Sequence, residues 1–568
     1  MSTGQGTTTI DNLLNLEVTR GRLQSIVDEA AATVIRTAFS VVMTEAKDFA
    51  CGILLPGCRT VVQSQQSIPV FLSTMTRTAE HLISAFPLSE WKPGDIYATN
   101  DPWLGTGHLY DITLVSPVVV DHEVVALAAV VGHLPDIGGR IVGTDATQVY
   151  EEGLRIPPVR LAHDGVLDPV IVRILAANVR MPDQVIGDLN ALVAAGTVTQ
   201  LRLAALVERL GRNAFFESCV KLEALVEGAL RAAIEAIPDG DYRSHINSEG
   251  IGGTPFDIHL LLRVRGRSIA ASFEGSSAQL PAGINSCLNY TASYVVGAIK
   301  SLLIPRLPFN QGVLDAIDVT APEGSIVNSR FPAAGAARNV VGHFIPGLVL
   351  RALADALPGD AIADCGAPRP SMRINGVNPK TGKLVTAPVF APGGFGARAE
   401  LDGLPCLSFP TNGATVPIEM LEGECALVFE AKEMIVDSGG AGRRRGGLGQ
   451  RVIFVATADE QRASVVVQRL RSAPTGLFGG GNGALARVLI NDRDLSSPSG
   501  RVVLARGDRI TIESPGGGGY GDPRERERSL VASDIQDGYV SLASAEKIYG
   551  YRPTEFGNDD REGSITSE

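Results

Sequence analysis

Two stretches of the chain carry nearly the same residues. Residues 107–117 read GHLYDITLVSP and residues 132–139 read GHLPDIGG, so His-x-x-Asp occurs at His108/Asp111 and again at His133/Asp136. The chain has only 8 histidines. One such pair signifies little. Two pairs that meet in space would assemble two imidazoles and two carboxylates, a donor set for a divalent ion. Imidazole suits Zn, Mn, Fe or Ni, and the hard carboxylates bias the set toward Mn or Zn. The same groups also suit a structural polar network, or His/Asp acid–base catalysis without metal. Asn100 and Asp101 before Pro102 read as a turn, and Gly105 and Gly107 let the backbone bend to present His108. Asp48, with Glu45 three residues earlier, sits where a helical pattern yields to a strand and reads as a cap or turn carboxylate.

Whether the two pairs meet depends on residues 111–132. DITLVSPVVV and VVALAAVVG are apolar, β-branched runs on either side of a polar turn at Asp121-His122, the pattern of a hairpin with buried strands. Folding there pairs residues whose numbers sum to about 243, which sets His108 near Pro135 and His133 near Tyr110 at the hairpin's open end. Upstream, apolar spacing predicts a helix from Leu13 to about Thr44. KDFACGILLPGCRTVVQ then predicts a second hairpin turning at Pro56-Gly57. Residues 183–236 read as helical, PDGDY at 238–242 as a stop, 243–330 as β-leaning with a helix at 291–304, and 386–520 as β-rich.

The chain has 568 residues, 45% apolar and 20% charged, too long for one ordinary core. The expected fold class is mixed α+β and multidomain. Residues 1–240 form an N-terminal α/β domain with the hairpin site and a helical segment, 241–385 a β-leaning domain, 386–555 a glycine-rich β domain, and 556–568 a disordered tail. Fifty basic against 62 acidic residues give a net charge of −12, without the basic footprint of a nucleic-acid binder. Arg443-Arg444-Arg445 lies among glycines and reads as a solvated loop or subunit contact. No run of about 20 uncharged apolar residues predicts a membrane span, and the polar N-terminus has no signal-peptide core. Seven scattered cysteines, none in a CxxC pair, read as buried free thiols in a reducing cytoplasm. The many glycines (63) include PGGFGARAELDG, DSGGAGRRRGGLG, GLFGGGNGA and SPGGGGYGDP. None is a phosphate loop with its Lys-Ser/Thr, and they read as turns in a β domain.

These residues sit among blocks that resemble the hydantoinase B/oxoprolinase family. The blocks include EAKDFACGIL, GDIYATNDPWLGTGHLYDITLVSPV, GHLPDIGG, YEEGLRIPPVRL, GDLNAL, FEGSSAQLPAGINS, VPIEMLEGE, VDSGGAGRRRGGLGQR and GGGGYGDP, in the same order almost end to end. The resemblance implies a metal site with Asp48, His108, Asp111 and His133 as ligands. Asp136 becomes a support for His133 or a proton shuttle, with Asp136 or Glu45 as proton acceptor and Glu419 and Glu422 as weaker candidates. It also implies half of an enzyme, a hetero-oligomer in which an A subunit binds ATP and phosphorylates a cyclic amide. Ring opening would follow at the metal here, with Zn or Mn expected. Ketone carboxylation at the same metal is the alternative within the family, and a non-catalytic scaffold for the A subunit the alternative outside it. The chain departs from the family pattern where His133-Leu134-Pro135-Asp136 lacks a common second His. AARN at 336–339 stands for a common Ala-Arg-His, and GTGH for Gly-Gly-Thr-His.

Overall fold

The structure, a computed structural model, describes residues 3–495 and 499–552; the tail expected to be disordered lies outside the described residues. Its central element is an antiparallel sheet of seven strands: β1 (Phe49–Leu54), β2 (Thr60–Gln63), β3 (Ile96–Thr99), β4 (Asp111–Val120), β5 (Glu123–His133), β6 (Val159–His163) and β7 (Val166–Leu167). Their spatial order is β2-β1-β5-β4-β3-β6-β7. Both expected hairpins are present. Asp121 and His122 each have positive φ (50° and 65°), as a two-residue turn needs to match strand twist. Asp111 pairs with His133 and Val118 with Ala126, and a bulge follows Val118.

The long apolar runs of β4 and β5 follow from burial on both faces. Side chains alternate along a strand. Ile112, Leu114 and Val130 therefore pack with Phe49 and Cys51 against helices α1 (Thr3–Thr37) and α5 (Pro182–Leu210). Val115, Leu127, Ala129 and Val131 face the other way, toward α3 (Phe71–Ala85). Helix α5 is long and apolar enough to cross a bilayer by length and composition, but Leu189, Leu192 and Leu203 are spent on this sheet.

The N-terminal helix does not run unbroken to Thr44. It ends at Thr37 and resumes as α2 (Val41–Thr44), because the buried Asp188 carboxylate of α5 accepts from the backbone N–H groups of Phe39 and Ser40 (2.7 and 3.0 Å). The helical stretch 183–236 is likewise two helices, α5 and α6 (Arg212–Glu235), divided at Gly211.

A second sheet holds Gly240–Ile251, Thr254–Arg265, Ser268–Ser272 and Ile317–Thr320. A third holds Leu384–Phe390, Ser371–Val377, Gln461–Val466 and Gly500–Leu504 in spatial order. A fourth holds Leu427–Met434, Gln450–Ala456, Arg509–Glu513, Arg487–Ile490 and Arg493–Asp494. The third and fourth pack face to face over Met372, Ile374, Val465, Phe454 and Ile512. The structure crosses the expected domain limits at two places. The limit at 385/386 falls inside Leu384–Phe390, which pairs with Ser371–Val377 along its length. The limit at 240/241 separates segments that share one core, since β1, α3, β5 and α6 contribute to the same cluster as the second sheet. Pairing between sequence-distant strands made both joins, and local composition does not report it.

The glycine runs are not mainly turns. Residues 393–396, 439–449, 476–483 and 515–519 lie outside the named strands and pack backbone against backbone. Gly447 N–H donates to Phe395 O (2.8 Å), Gly517 N–H to Gly447 O (2.9 Å), Gly440 N–H to Gly517 O (2.8 Å) and Gly519 N–H to Gly481 O (2.9 Å). A Cβ on Gly394, Gly446, Gly517 or Gly519 would run into a neighbouring carbonyl. Gly517→Ala is therefore expected to destabilise the protein by about 3 kcal/mol, at the upper end of overpacking costs. Gly228→Ala, with open space at its Cβ in the α6 interior, should stabilise it by about 0.5–1 kcal/mol. Denaturant midpoints of the two variants check this, and equal midpoints would rule out backbone packing as the reason for the glycines.

Candidate metal centre

The mouth of the β4–β5 hairpin is closed by chemistry rather than by apolar packing. His133 ends β5 opposite Asp111, the first residue of β4. β1 pairs with β5 on its other side, and His133 N–H donates to Asp48 O (3.0 Å), which brings Asp48 alongside. His108 arrives on the loop before β4. Gly107 there has φ +93°, and a Cβ would press on the Arg338 side chain at 2.8 Å. Asn100 does more than make a turn: its amide donates to Leu109 O (2.7 Å) and Leu154 O (2.9 Å), pinning that loop.

Asp111 Oδ1 is the focus. It lies 2.8 Å from His108 Nε2 and 2.8 Å from His133 Nδ1, and one ligand atom from each of the three residues lies within 4.8 Å of the others. Asp48 Oδ2 stands 3.9 Å from His133 Nδ1. All four residues line one cavity of about 100 Å³. His108 Nδ1 faces Ala336 O at 3.2 Å. A carbonyl only accepts, so the proton is on Nδ1 and Nε2 carries a lone pair. Burial, reinforced by Arg338, lowers the His108 pKa to about 3, so the ring is neutral. Burial would raise the Asp111 pKa, but its charged and hydrogen-bonding neighbours, Arg338 and His133 among them, outweigh it and hold the carboxyl well below its ordinary value. An imidazole lone pair and a carboxylate oxygen thus face each other at 2.8 Å, and Nε2 has no hydrogen-bond partner. A divalent ion relieves that contact, and the donor set fits one. Burial raises the Asp48 pKa, offset in part by His133.

Arg338 holds the second Asp111 oxygen (Nη2–Oδ2 2.8 Å), donates from Nε to Thr106 O (2.6 Å), and lies 4.1 Å over the Tyr290 ring. Arg369 and Arg373 line the same cavity, as do Tyr290, Tyr294 and His343. None of these six is singled out by the sequence reading, although AARN marks Arg338's position. Arg369 and Arg373 lie on one parity of an otherwise ordinary strand approach, which looks like a solvated face.

The structure places several of the expected residues. Asp136 neither supports His133 nor reaches the cavity: its carboxylate accepts from Arg180 Nη1 (2.7 Å), Arg180 N–H and Gly138 N–H (3.1 Å), clamping the loop after β5. Glu45 ends α2 outside the cavity, which Ala46 lines instead. Glu419 is exposed on the helix Ile418–Glu424, and Glu422 accepts from Phe429 N–H (2.7 Å). Arg445 is buried against Asp534 (3.3 Å) rather than solvated. The cysteines are free, and all but Cys406 are buried.

The loop whose Ala336 carbonyl orients His108 is itself held by a buried carboxyl. Glu152 accepts from Ala336 N–H (2.7 Å) and Gly335 N–H (3.1 Å). Burial pushes its pKa from 4.5 up to about 7, against the pull of those two bonds. A folded pKa above the unfolded one gives a contribution that is whole below the unfolded value and lost as pH rises through the folded one, on the order of 3 kcal/mol. Glu152→Gln is expected to melt below wild type at pH 5 and to close or reverse the gap by pH 8. Parallel melting curves across that window would show that Glu152 does not titrate there.

The fold and this site define a class: a multi-sheet α+β chain with a candidate metal centre at a hairpin mouth. The chain belongs to the hydantoinase B/oxoprolinase family, whose profile matches residues 12–523. Caprolactamase subunit beta of Pseudomonas jessenii is 29% identical over 562 residues, covering 94% of this chain and 95% of that one. The crystal structure of the ATP-dependent caprolactamase from the same organism matches with a TM-score of 0.87 at 28% identity, over 94% of this chain and 96% of that one. A nucleotide-free acetone carboxylase structure matches with a TM-score of 0.86 over 94% of this chain and 79% of that one. Its identity is 20%, so that likeness is one of fold.

Proposed function

We propose that this chain is the metal-bearing subunit of an ATP-dependent cyclic-amide hydrolase, acting on a substrate that a partner A subunit has phosphorylated. The observation that carries this is the unpartnered His108 Nε2 facing Asp111 Oδ1 inside a small cavity walled by arginines. The likeness to a caprolactamase subunit beta supports the substrate class. His108, Asp111 and His133 would hold the ion, with Asp48 completing the set. Bound there, a divalent ion, Zn or Mn by its ligands, supplies Lewis acidity and a nucleophile at neutral pH.

The remaining chemistry belongs to the chain's own residues. Phosphorylation of a lactam oxygen makes the ring carbon a better electrophile. One water adds at that carbon and expels the ring nitrogen, leaving an acyl phosphate; a second releases phosphate and the carboxylic acid. Ala336 O and Arg338 fix the directions of His108 and Asp111, so the ligands do not reorganise during these steps. Tyr290 and Tyr294 have hydroxyls 3.3 Å apart, and burial raises both pKa values. They stay protonated and donate toward the departing nitrogen.

The test is co-purification with a neighbouring A-type subunit and assay on caprolactam, hydantoins and 5-oxoproline. ATP-dependent ring opening by the pair, and none by this chain alone, is the expected result. Full lactam hydrolysis by the isolated chain without ATP would overturn the two-subunit scheme. Turnover of a ketone only with bicarbonate would assign the carboxylase chemistry instead.

A further inference from the structure

Arg369 and Arg373 line the cavity half-buried, and neither makes an ion pair among the described residues, although Asp48 is near enough to act on both. Each guanidinium has five N–H donors and spends one on a neutral partner. Arg369 Nη1 donates to Ser408 Oγ (2.8 Å) and Arg373 Nη2 to His133 Nε2 (3.2 Å). Arg369 also lies over the Phe390 ring, 3.8 Å from its centre. Burying a charge is unfavourable unless it is paired, and here burial lowers the Arg369 pKa to about 10 and lowers that of Arg373. Strand alternation aims Arg373 inward: Met372 and Ile374 enter the sandwich core, while Ser371 and Arg373 face the cavity, which Arg369, just before the strand, also lines.

We infer that Arg369 and Arg373 form an anion subsite facing the metal centre that takes a dianionic phosphoryl group. This rests on the reading above that the substrate arrives phosphorylated, and it names the part of that substrate the site recognises. Charge decides between anions. Asp48 and Asp111 set against Arg338, Arg369 and Arg373 leave one positive charge, and a divalent ion brings this to three. A phosphoryl dianion balances most of that, and a carboxylate monoanion leaves more of it uncompensated. Planar guanidinium groups also match phosphoryl oxygens in pairs. The cavity, about 100 Å³, has room for a phosphoryl group beside the reacting carbon. Because the phosphoryl stays on the substrate until after the ring has opened, a site that holds it keeps the acyl phosphate in place for the second water.

The test uses the full chain loaded with divalent metal, titrated calorimetrically with inorganic phosphate, methyl phosphate and acetate. Both phosphates should bind, with acetate at least about tenfold weaker. Arg369→Met and Arg373→Met should each weaken phosphate about tenfold, and Arg369→Lys and Arg373→Lys should recover part of it, each compared at matched metal occupancy. Phosphate binding equal in wild type and all four variants overturns the inference, as does acetate binding as tightly as phosphate. Binding of inorganic phosphate but not methyl phosphate would make the site one for free product and also overturn it. ATP-driven ring opening is measured in parallel. Ring opening without arginine-dependent phosphate binding removes the inference and leaves the hydrolase reading. Arginine-dependent binding with no ring opening of any cyclic amide removes the hydrolase reading and leaves the anion subsite.

Discussion

His108→Ala is expected to emerge from purification with almost no bound divalent metal and with ATP-driven activity, measured with the partner subunit, down about a thousandfold. The loss follows from what the imidazole does. Its Nε2 is a buried lone pair with no hydrogen-bond partner, 2.8 Å from Asp111 Oδ1, and its Nδ1 is fixed by Ala336 O. Alanine deletes one donor of the compact His-Asp-His set and leaves Asp111 facing a void. The effect on folding should be smaller than on metal content, because the repulsive contact disappears along with the ligand. Metal analysis of the purified protein is the direct measurement, and the neighbouring Asp136→Asn, which disturbs only the Arg180 clamp, should keep its metal. A His108→Ala protein with full metal and full activity would remove the site assignment.

Arg338→Met should cost about 4 kcal/mol of stability, the cost of removing one partner from a buried ion pair. Asp111 and Arg338 are both almost wholly buried and bonded at 2.8 Å, and the same guanidinium satisfies Thr106 O. Methionine fills much of the volume and offers neither bond. The carboxyl of Asp111, held low partly by Arg338, then rises toward its ordinary range. Protons and metal compete for that carboxylate, so metal affinity in the variant should fall more steeply between pH 6 and pH 4 than in wild type, where Asp111 stays ionised. Arg338→Lys keeps the charge but loses the fork, and belongs between the two. Melting temperatures and metal titrations at the two pH values check this. Wild-type stability in Arg338→Met would mean that Arg338 does not secure Asp111.

The hairpin was legible because its determinants are local. Two apolar runs and a polar two-residue turn specify which residues face each other, and the Asp111–His133 pairing lies within one residue of the register read from spacing alone. Asp48 was not legible from spacing, because it comes alongside His133 only through the β1–β5 pairing; the family resemblance supplied it. Asp136 repeats the first motif in sequence but not in space. Residues before a strand and residues after one leave the hairpin mouth in different directions, and Arg180, far along the chain, claims the second carboxylate.

Local pattern therefore set the hairpin, the helical stretches and the pairing of His133 with Asp111, since each depends on neighbours a few residues away or on one turn. The walls of the site came from elsewhere. Arg338, Arg369 and Arg373 have the local signature of loop and strand-surface residues, and only the approach of the loop before Asn339 and of the third sheet to the hairpin mouth turns them into a positively charged lining. The glycine runs resemble turns for the same reason: nothing in a run of glycines shows that another run will lie against it. Charge burial and backbone contact depend on which distant segments meet, and that is settled by the packing of the whole chain.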